Sequence, residues 1–504
     1  MKRRDFLQTM MLATGGAMLK PMWWPHLAQA QSQLGSKILV MVVFQGGNDG
    51  INTVIPYTDG LYTANRPTLA IPQNQILTLN DDIGLHPSLS PLMSHWDAGN
   101  LAVIQGVGYP NMNLSHFRGT DIMFSGSSSE TVWSSGWLAR YLELLNPDFP
   151  EVLPPEPLAL QQGFSARLPL SGDRGTTGVI VDDPDTFFAL VNAGFTPSPD
   201  DVTTGFAGDD EFGFIRQVDV ESFEYADVIE NAASLGNATG NYPAVPIGNQ
   251  LSTIATLIEG NLPTPIYLAA FNGFDTHANQ QGNHDTLLDY FARSVDAFLQ
   301  DMDRIGRKED VVILSVSEFG RRVGENGSFG TDHGTAAPWF LIGDGVEGGL
   351  HGKQPPLDNL DPFGNLLVQE DYRSIYANLL SDWFGATSAQ TSAIFEGNFS
   401  DLSLIQSLSR ARPSVSPTLT QLHNPKPNPG RGTRSLSFDL AQDGLVDLSV
   451  FDVRGRRVAQ IMRETRAAGS HQLSWTPNSS LSRGIYFLKL NAGGRETTQK
   501  LVLN

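Results

Sequence analysis

Five short stretches of this 504-residue chain set acids and imidazoles close together. Asn48 and Asp49 end the run KILVMVVFQGGNDG (residues 37–50). Ser115 and His116 lie in NMNLSHFRGTDIM (111–123). Asp275 and His277 lie in FDTHANQ (274–280), with His284 soon after. Glu318 and Arg321 lie in SEFGRR. Asp332 and His333 sit inside GTDHG (330–334), and His351 follows in GGLHGK (348–353). Four of the ten histidines therefore fall between 277 and 351, close to Asp, Gly or Asn, in stretches that read as loop. Carboxylates with neutral imidazoles are the usual ligand set for zinc, and extra carboxylates extend it to manganese, magnesium or calcium. Two such groups would suit one or two divalent ions. A pair of ions about 3.5–4 Å apart could clamp the attacking and leaving oxygens of phosphoryl or sulfuryl transfer. The competing use of these residues is structural, since Asp and His also cap helices and close turns.

Composition narrows the chemistry. The chain has no cysteine, so thiolate metal sites, iron–sulfur clusters, cysteine nucleophiles and disulfides are excluded. Any metal must take nitrogen and oxygen ligands. A formal charge of −20 argues against a nucleic-acid partner, which calls for a basic face. Hydrophobic content of 40% supplies a large core, and a length of 504 residues implies more than one domain.

The elements that must position these residues can be read in outline. KILVMVVFQ, LAVIQGVG (101–108), PIYLAAFNGFD (265–275) and VVILSVSEFG (311–320) are apolar runs without alternation, each closed by Gly and a polar residue. That is the signature of strands buried on both faces of a parallel sheet. Between them lies HDTLLDYFARSVDAFLQDMDRIG (284–306), whose Leu287, Leu288, Phe291, Val295, Phe298, Leu299 and Met302 share one helical face. The expected fold class is α/β, a largely parallel sheet flanked by helices, followed by a small all-β sandwich. In such sheets sites form beyond the carboxyl ends of the strands, which is where the acids and imidazoles fall. Residues 150–250, with Pro-rich and acidic pieces, read as an insertion or cap.

Both ends of the chain carry addresses. Arg3 and Arg4 precede the apolar run MMLATGGAML, and Ala28-Gln29-Ala30 offers a small-x-small cleavage site. This resembles a twin-arginine export signal over residues 1–30, which implies the twin-arginine translocase as a partner. The apolar run falls short of the roughly 20 residues that span a bilayer, and no transmembrane helix is expected in the mature chain. Residues 406–432 are rich in Pro, Ser and Thr and read as a linker. Residues 433–504 alternate in short strands: SLSFDL, LVDLSVFD, HQLSWT, GIYFLKL and TTQKLVL. With NPKPNPG (424–430), VFDVRGRRV (450–458) and the terminal QKLVLN, this tail resembles the C-terminal sorting domains of the type IX secretion system, which have an immunoglobulin-like sandwich. The resemblance implies outer-membrane secretion machinery as a partner. It places the mature protein in the periplasm in transit, then at the cell surface or outside.

Residues 31–405 form the expected α/β domain. VVFQGGNDGINTVIPY, HPSLSPL, NLSHFRGTDIM, GWLARYL, FDTHANQ, VVILSVSEFGRR, GTDHGTAAPWFLIG and DYRSIYANLL, in this order, resemble the domain-of-unknown-function 1501 family within the alkaline phosphatase–sulfatase superfamily. The resemblance implies an exported, metal-dependent hydrolase of phosphate-type esters, on a small-molecule or polymer-borne anionic substrate. It implies Asp49 as the acid after the first strand and Ser115 as the hydroxyl nucleophile. Asp275 and His277 would form a ligand pair, with His284 as a substitute. Arg118, with Arg140, would grip the anion. The superfamily's Asp-His pair has two placements here. Either Asp332 and His333 are that pair, displaced by an insertion, with His351 as the later ligand, or Glu318 supplies the acid and His333 is the later histidine. Zinc is the first expectation for the ion, with manganese, magnesium or calcium as alternatives. The lack of a Cys-x-Pro-x-Arg motif argues against formylglycine-type sulfate hydrolysis and makes sulfate esters the lesser expectation beside phosphate esters. The alternative function is a non-catalytic surface binding protein that retains a hydrolase-like fold and a structural or vestigial metal site.

Overall fold

The structure is a computed structural model. It describes residues 36–163, 168–181 and 225–406, and residues 420–503 apart from breaks at 423–424, 426–427, 429–433, 441–443, 467–468, 478–480 and 493–494. The export signal expected over residues 1–30 lies outside the described residues. Two compact units divide the chain, Met1–Gln406 and Ser407–Asn504.

The first unit is built on a nine-stranded sheet. Its strands are β1 (Ile38–Gln45), β2 (Leu101–Gly108), β3 (Ala159–Gln161), β4 (Gly178–Ile180), β5 (Ile266–Asn272), β6 (Val311–Ser317), β7 (Ala337–Ile342), β8 (Gly349–His351) and β9 (Glu370–Asp371). Their order is β8-β2-β7-β6-β1-β5-β3-β4, with β9 also on β2. Only β7 runs against the rest, pairing antiparallel with both β2 and β6. β1 lies at the centre, parallel to β5 and β6, with Phe44 opposite both Phe271 and Ser317.

The apolar runs form strands because they are covered on both sides. Leu39, Met41 and Val43 join a core with Trp137, Tyr141 and Tyr376. Their alternates Val40, Val42 and Phe44 pack with Phe291, Val295 and Phe298 of the long helix Gln280–Arg304. That helix starts four residues before the expected boundary. Residues 150–250 are not all an insertion, because β3 and β4 complete one edge of the sheet and Pro246–Glu259 is a helix packed on β5. The intervening residues 182–224 lie outside the described set.

The second unit holds two antiparallel sheets of three and four strands. Leu436, Phe438, Val446, Leu448, Val450, Leu488 and Leu490 form its common core, as in a small sandwich. Gln421–Leu422, within the stretch read as linker, pairs with Arg434–Leu440. Among the described residues, no helix is long and apolar enough to cross a membrane.

Candidate metal centre

The ends of β2, β5 and β6 bring His116, Asp275 and His333 together, with His277 beside the last two. Asp275 and His277 follow β5. His116 opens the helix His116–Ser125 after β2. His333 arrives differently. After β6, Gly320–Arg321 pairs antiparallel with His333–Gly334, so the excursion 322–332 returns His333 beside the strand end it left. This return is close-packed. A Cβ on Gly330 would meet the His277 carbonyl carbon at 2.3 Å and the Thr276 oxygen at 2.4 Å, so only glycine fits there.

The contacts are specific. Asp275 Oδ1 lies 3.1 Å from both His277 Nε2 and His333 Nε2, and those two nitrogens are 3.0 Å apart. His116 Nε2 is 3.5 Å from Asp275 Oδ2. Each ring is held from behind through Nδ1: His333 to the Leu114 carbonyl at 2.9 Å, His116 to Glu318 Oε1 at 2.9 Å, and His277 to Asp332 Oδ1 at 3.4 Å. An Nδ1–H donated outward leaves the Nε2 lone pair facing inward. Three imidazole lone pairs and a carboxylate oxygen then point at each other. Such an arrangement repels itself unless a cation or a proton lies between them. His116, Asp275 and His333 offer ligand atoms within 4.8 Å of one another. With nitrogen and oxygen donors and no sulfur, the set fits a divalent ion of the zinc type.

The surroundings shift Asp275, His333 and His116 differently. Partial burial works to raise the Asp275 carboxyl, but the hydrogen bond from Arg321 and the closeness of the His333 ring outweigh it and hold the group at about 2. Burial lowers His333, keeping its ring neutral. The hydrogen bond to Glu318 raises His116. Arg321 is fully buried. It donates to Asp275 Oδ1 at 2.6 Å, to the carbonyls of Gly47, Thr331 and Phe274 at 2.9, 2.8 and 3.0 Å, and to that of Gly46. One guanidinium thereby ties together the turns after β1, β5 and β6.

The residues singled out in the sequence separate into two groups. Asp275, His277, Asp332, His333 and Glu318 come together. Glu318 and Asp332 do not compete for one place, because each holds a different imidazole. Asp49 does not join them. It is buried, with Oδ2 and Oδ1 2.5 and 3.0 Å from Arg66 and a further bond from Gln280, and neither partner is a cluster ligand. His351 pairs on β8 opposite Ile104, well before the carboxyl end of β2, and contacts the Glu347 carbonyl at 2.7 Å. Arg118 gives Nη2 to the Thr131 carbonyl at 2.5 Å. Arg140 donates to the carbonyls of Ser135, Ser125 and Ile394. His284 is buried against Asn48 Oδ1 at 3.0 Å. Ser115 caps its helix with no side-chain hydrogen bond, and among the described residues no polar contact joins its hydroxyl to the cluster. His116 is the donor to which the family resemblance assigns no role; its signal in the sequence is NLSHF, beside Ser115.

Residues 260–365 match the protein family of unknown function DUF1501. Residues 427–504 match the secretion system C-terminal sorting domain, which indicates export to the cell surface by that system. The first match contains every cluster residue except His116. No curated protein matches the sequence. A protein in the alkaline phosphatase superfamily from Vibrio parahaemolyticus is 10% identical, covering 95% of this chain and 90% of its own at a TM-score of 0.31. The PsFucS1 sulfatase from Pseudoalteromonas sp. is 10% identical over 90% and 88%, at 0.33. The lipoteichoic acid synthase LtaP from Listeria monocytogenes is 8% identical over 75% and 82%, at 0.32. At TM-scores this low the likenesses decide nothing about the chemistry.

Proposed function

We propose that this protein is an exported, divalent-metal-dependent hydrolase of phosphate-type esters. One observation carries the reading: His116, Asp275 and His333 gather their ligand atoms within 4.8 Å of one another, His277 Nε2 lies beside the last two, and every Nδ1 has its partner on the outer side. Those four residues would hold the ion, zinc in the first instance. When bound, such an ion supplies a Lewis acid for an ester oxygen and lowers the pKa of water. The protein's own groups supply the rest. Glu318 and Asp332 orient His116 and His277. Arg321 fixes the turns and keeps Asp275 ionised. Ser115 is exposed at the amino end of a helix, where amide N–H groups favour an anionic group, and it would be the attacking hydroxyl. A cysteine-free chain favours phosphate over sulfate esters. Residues 1–30 would direct twin-arginine export, and the C-terminal unit would engage the type IX machinery.

The test is direct. The purified mature protein is analysed for metal by mass spectrometry and assayed on phosphate mono- and diesters, with and without chelator. Bound metal and chelator-sensitive hydrolysis are expected. A protein that takes up no metal and stays inactive after reloading overturns the reading. The second reading, a non-catalytic binding protein, is favoured by the lack, among the described residues, of any base hydrogen-bonded to Ser115. It predicts that the metal-loaded protein hydrolyses nothing, while His333→Ala lowers its melting temperature.

A further inference from the structure

A buried polar chain lies behind the cluster. Gln280, the first residue of the long helix, has its whole surface covered. Its Oε1 accepts from Thr276 Oγ1 at 3.0 Å and from Thr331 Oγ1 at 2.6 Å. Its Nε2 donates to Asp49 Oδ2. Asp49 is clamped by Arg66, which also donates to the carbonyls of Val323 and Arg322 at 2.6 and 2.8 Å. Thr276 stands between Asp275 and His277, and Thr331 stands two residues before His333. A single amide oxygen thus bridges the two loops that carry the ligands. The backbone repeats the link, with the Thr331 N–H donating to the Thr276 carbonyl at 3.1 Å.

The amide can face only one way. Asp49, ionised against Arg66, accepts only, so the NH₂ end must turn to it and the carbonyl end to the threonines. The reversed amide would set oxygen against oxygen in a site without water contact, leaving buried polar groups unsatisfied.

We infer that Gln280, braced by Asp49 and Arg66, is a positioning residue that sets the spacing between the loops bearing Asp275–His277 and Asp332–His333. This rests on reading the cluster as a metal centre, and it gives Asp49 and Arg66 a role at one remove from the ligands. None of the bridge's partners is a ligand atom of the cluster, so it can fix the loops' separation without occupying the ion's place.

The experiment uses the mature full chain and two variants. Gln280→Met keeps the length and removes both amide functions. Thr331→Val removes one end of the bridge and serves if Gln280→Met does not fold. Zinc affinity is measured by competition with a chromophoric chelator. Hydrogen exchange of the Thr331 amide is measured on the metal-free protein. Outer-shell losses of this kind cost about 10- to 100-fold in affinity, and a loss in that range is expected. The Thr331 amide should exchange faster while those of β1 and β6 keep their protection. Wild-type affinity in both variants, with unchanged Thr331 exchange, overturns the inference and leaves the metal centre standing. A wild-type protein that binds no zinc, but whose Thr331 amide loosens in the variants, overturns the metal reading and leaves the bridge.

Discussion

His277 and His333 face each other through their Nε2 atoms at 3.0 Å. With both rings anchored at Nδ1, neither nitrogen has a proton to offer the other. A divalent ion would relieve this conflict and bind the folded state alone. Zinc should therefore raise the melting temperature. At free ion a hundredfold above Kd the gain is about 2.7 kcal/mol, or roughly 5 °C. Calorimetry with zinc and with chelator checks this, and His333→Ala should abolish the shift.

Gly330→Ala should be far more costly than its chemistry suggests. The added Cβ meets backbone atoms of Thr276, His277 and Ala278 at 2.3–2.5 Å, and backbone yields little. A loss of roughly 1–3 kcal/mol in urea unfolding is expected, together with weaker zinc binding. Gly327→Ala, three residues away with nothing within 4 Å, should be close to neutral.

Acid should weaken the fold through His284. Burial lowers this ring to about 4, against about 6.5 in the unfolded chain. The native state keeps it neutral, while the unfolded state takes up a proton as pH falls below about 6.5. Its contribution is intact above that pH and is lost toward pH 4, by about 2 kcal/mol at pH 5. Unfolding midpoints at pH 7 and 5 should show the drop, and His284→Gln should flatten it. An unchanged slope in that variant would exclude His284 as the cause.

Arg66→Met should be among the most damaging single changes. Both members of the Arg66–Asp49 pair are fully buried, so the substitution strands a carboxylate without its partner. Breaking such a pair costs about 3–5 kcal/mol. Adding Asp49→Asn should recover part of the loss, since the stranded charge is then gone. Chemical denaturation of the single and double variants measures both effects.

The sheet was legible because its strands are long, apolar on both faces and closed by glycine. Every residue of ILVMVVF (38–44) is apolar, and each is buried. The small edge strands β3 and β4 were not legible, since three residues carry no period. The cluster was legible in part. Asp275, His277 and His333 stand in short polar motifs at strand ends, where α/β sheets place their sites. Asp49 has the same local signature, yet it turns inward to Arg66, a partner 17 residues on that no spacing rule connects to it. His116 shows the opposite case. Its motif was visible, but its partners Glu318 and Asp275 are distant in sequence and meet it only once β2, β5 and β6 are aligned.

That dependence has a consequence for the order of events in the life of the chain. Leu114 and His333, which share the hydrogen bond that orients one ligand, are 219 residues apart. The remaining ligands come from other strand ends. Only Asp275 and His277 are neighbours in sequence, and they supply two of the four donors. The full set exists only once β2, β5 and β6 are aligned, so occupancy of such a centre would report a completed sheet.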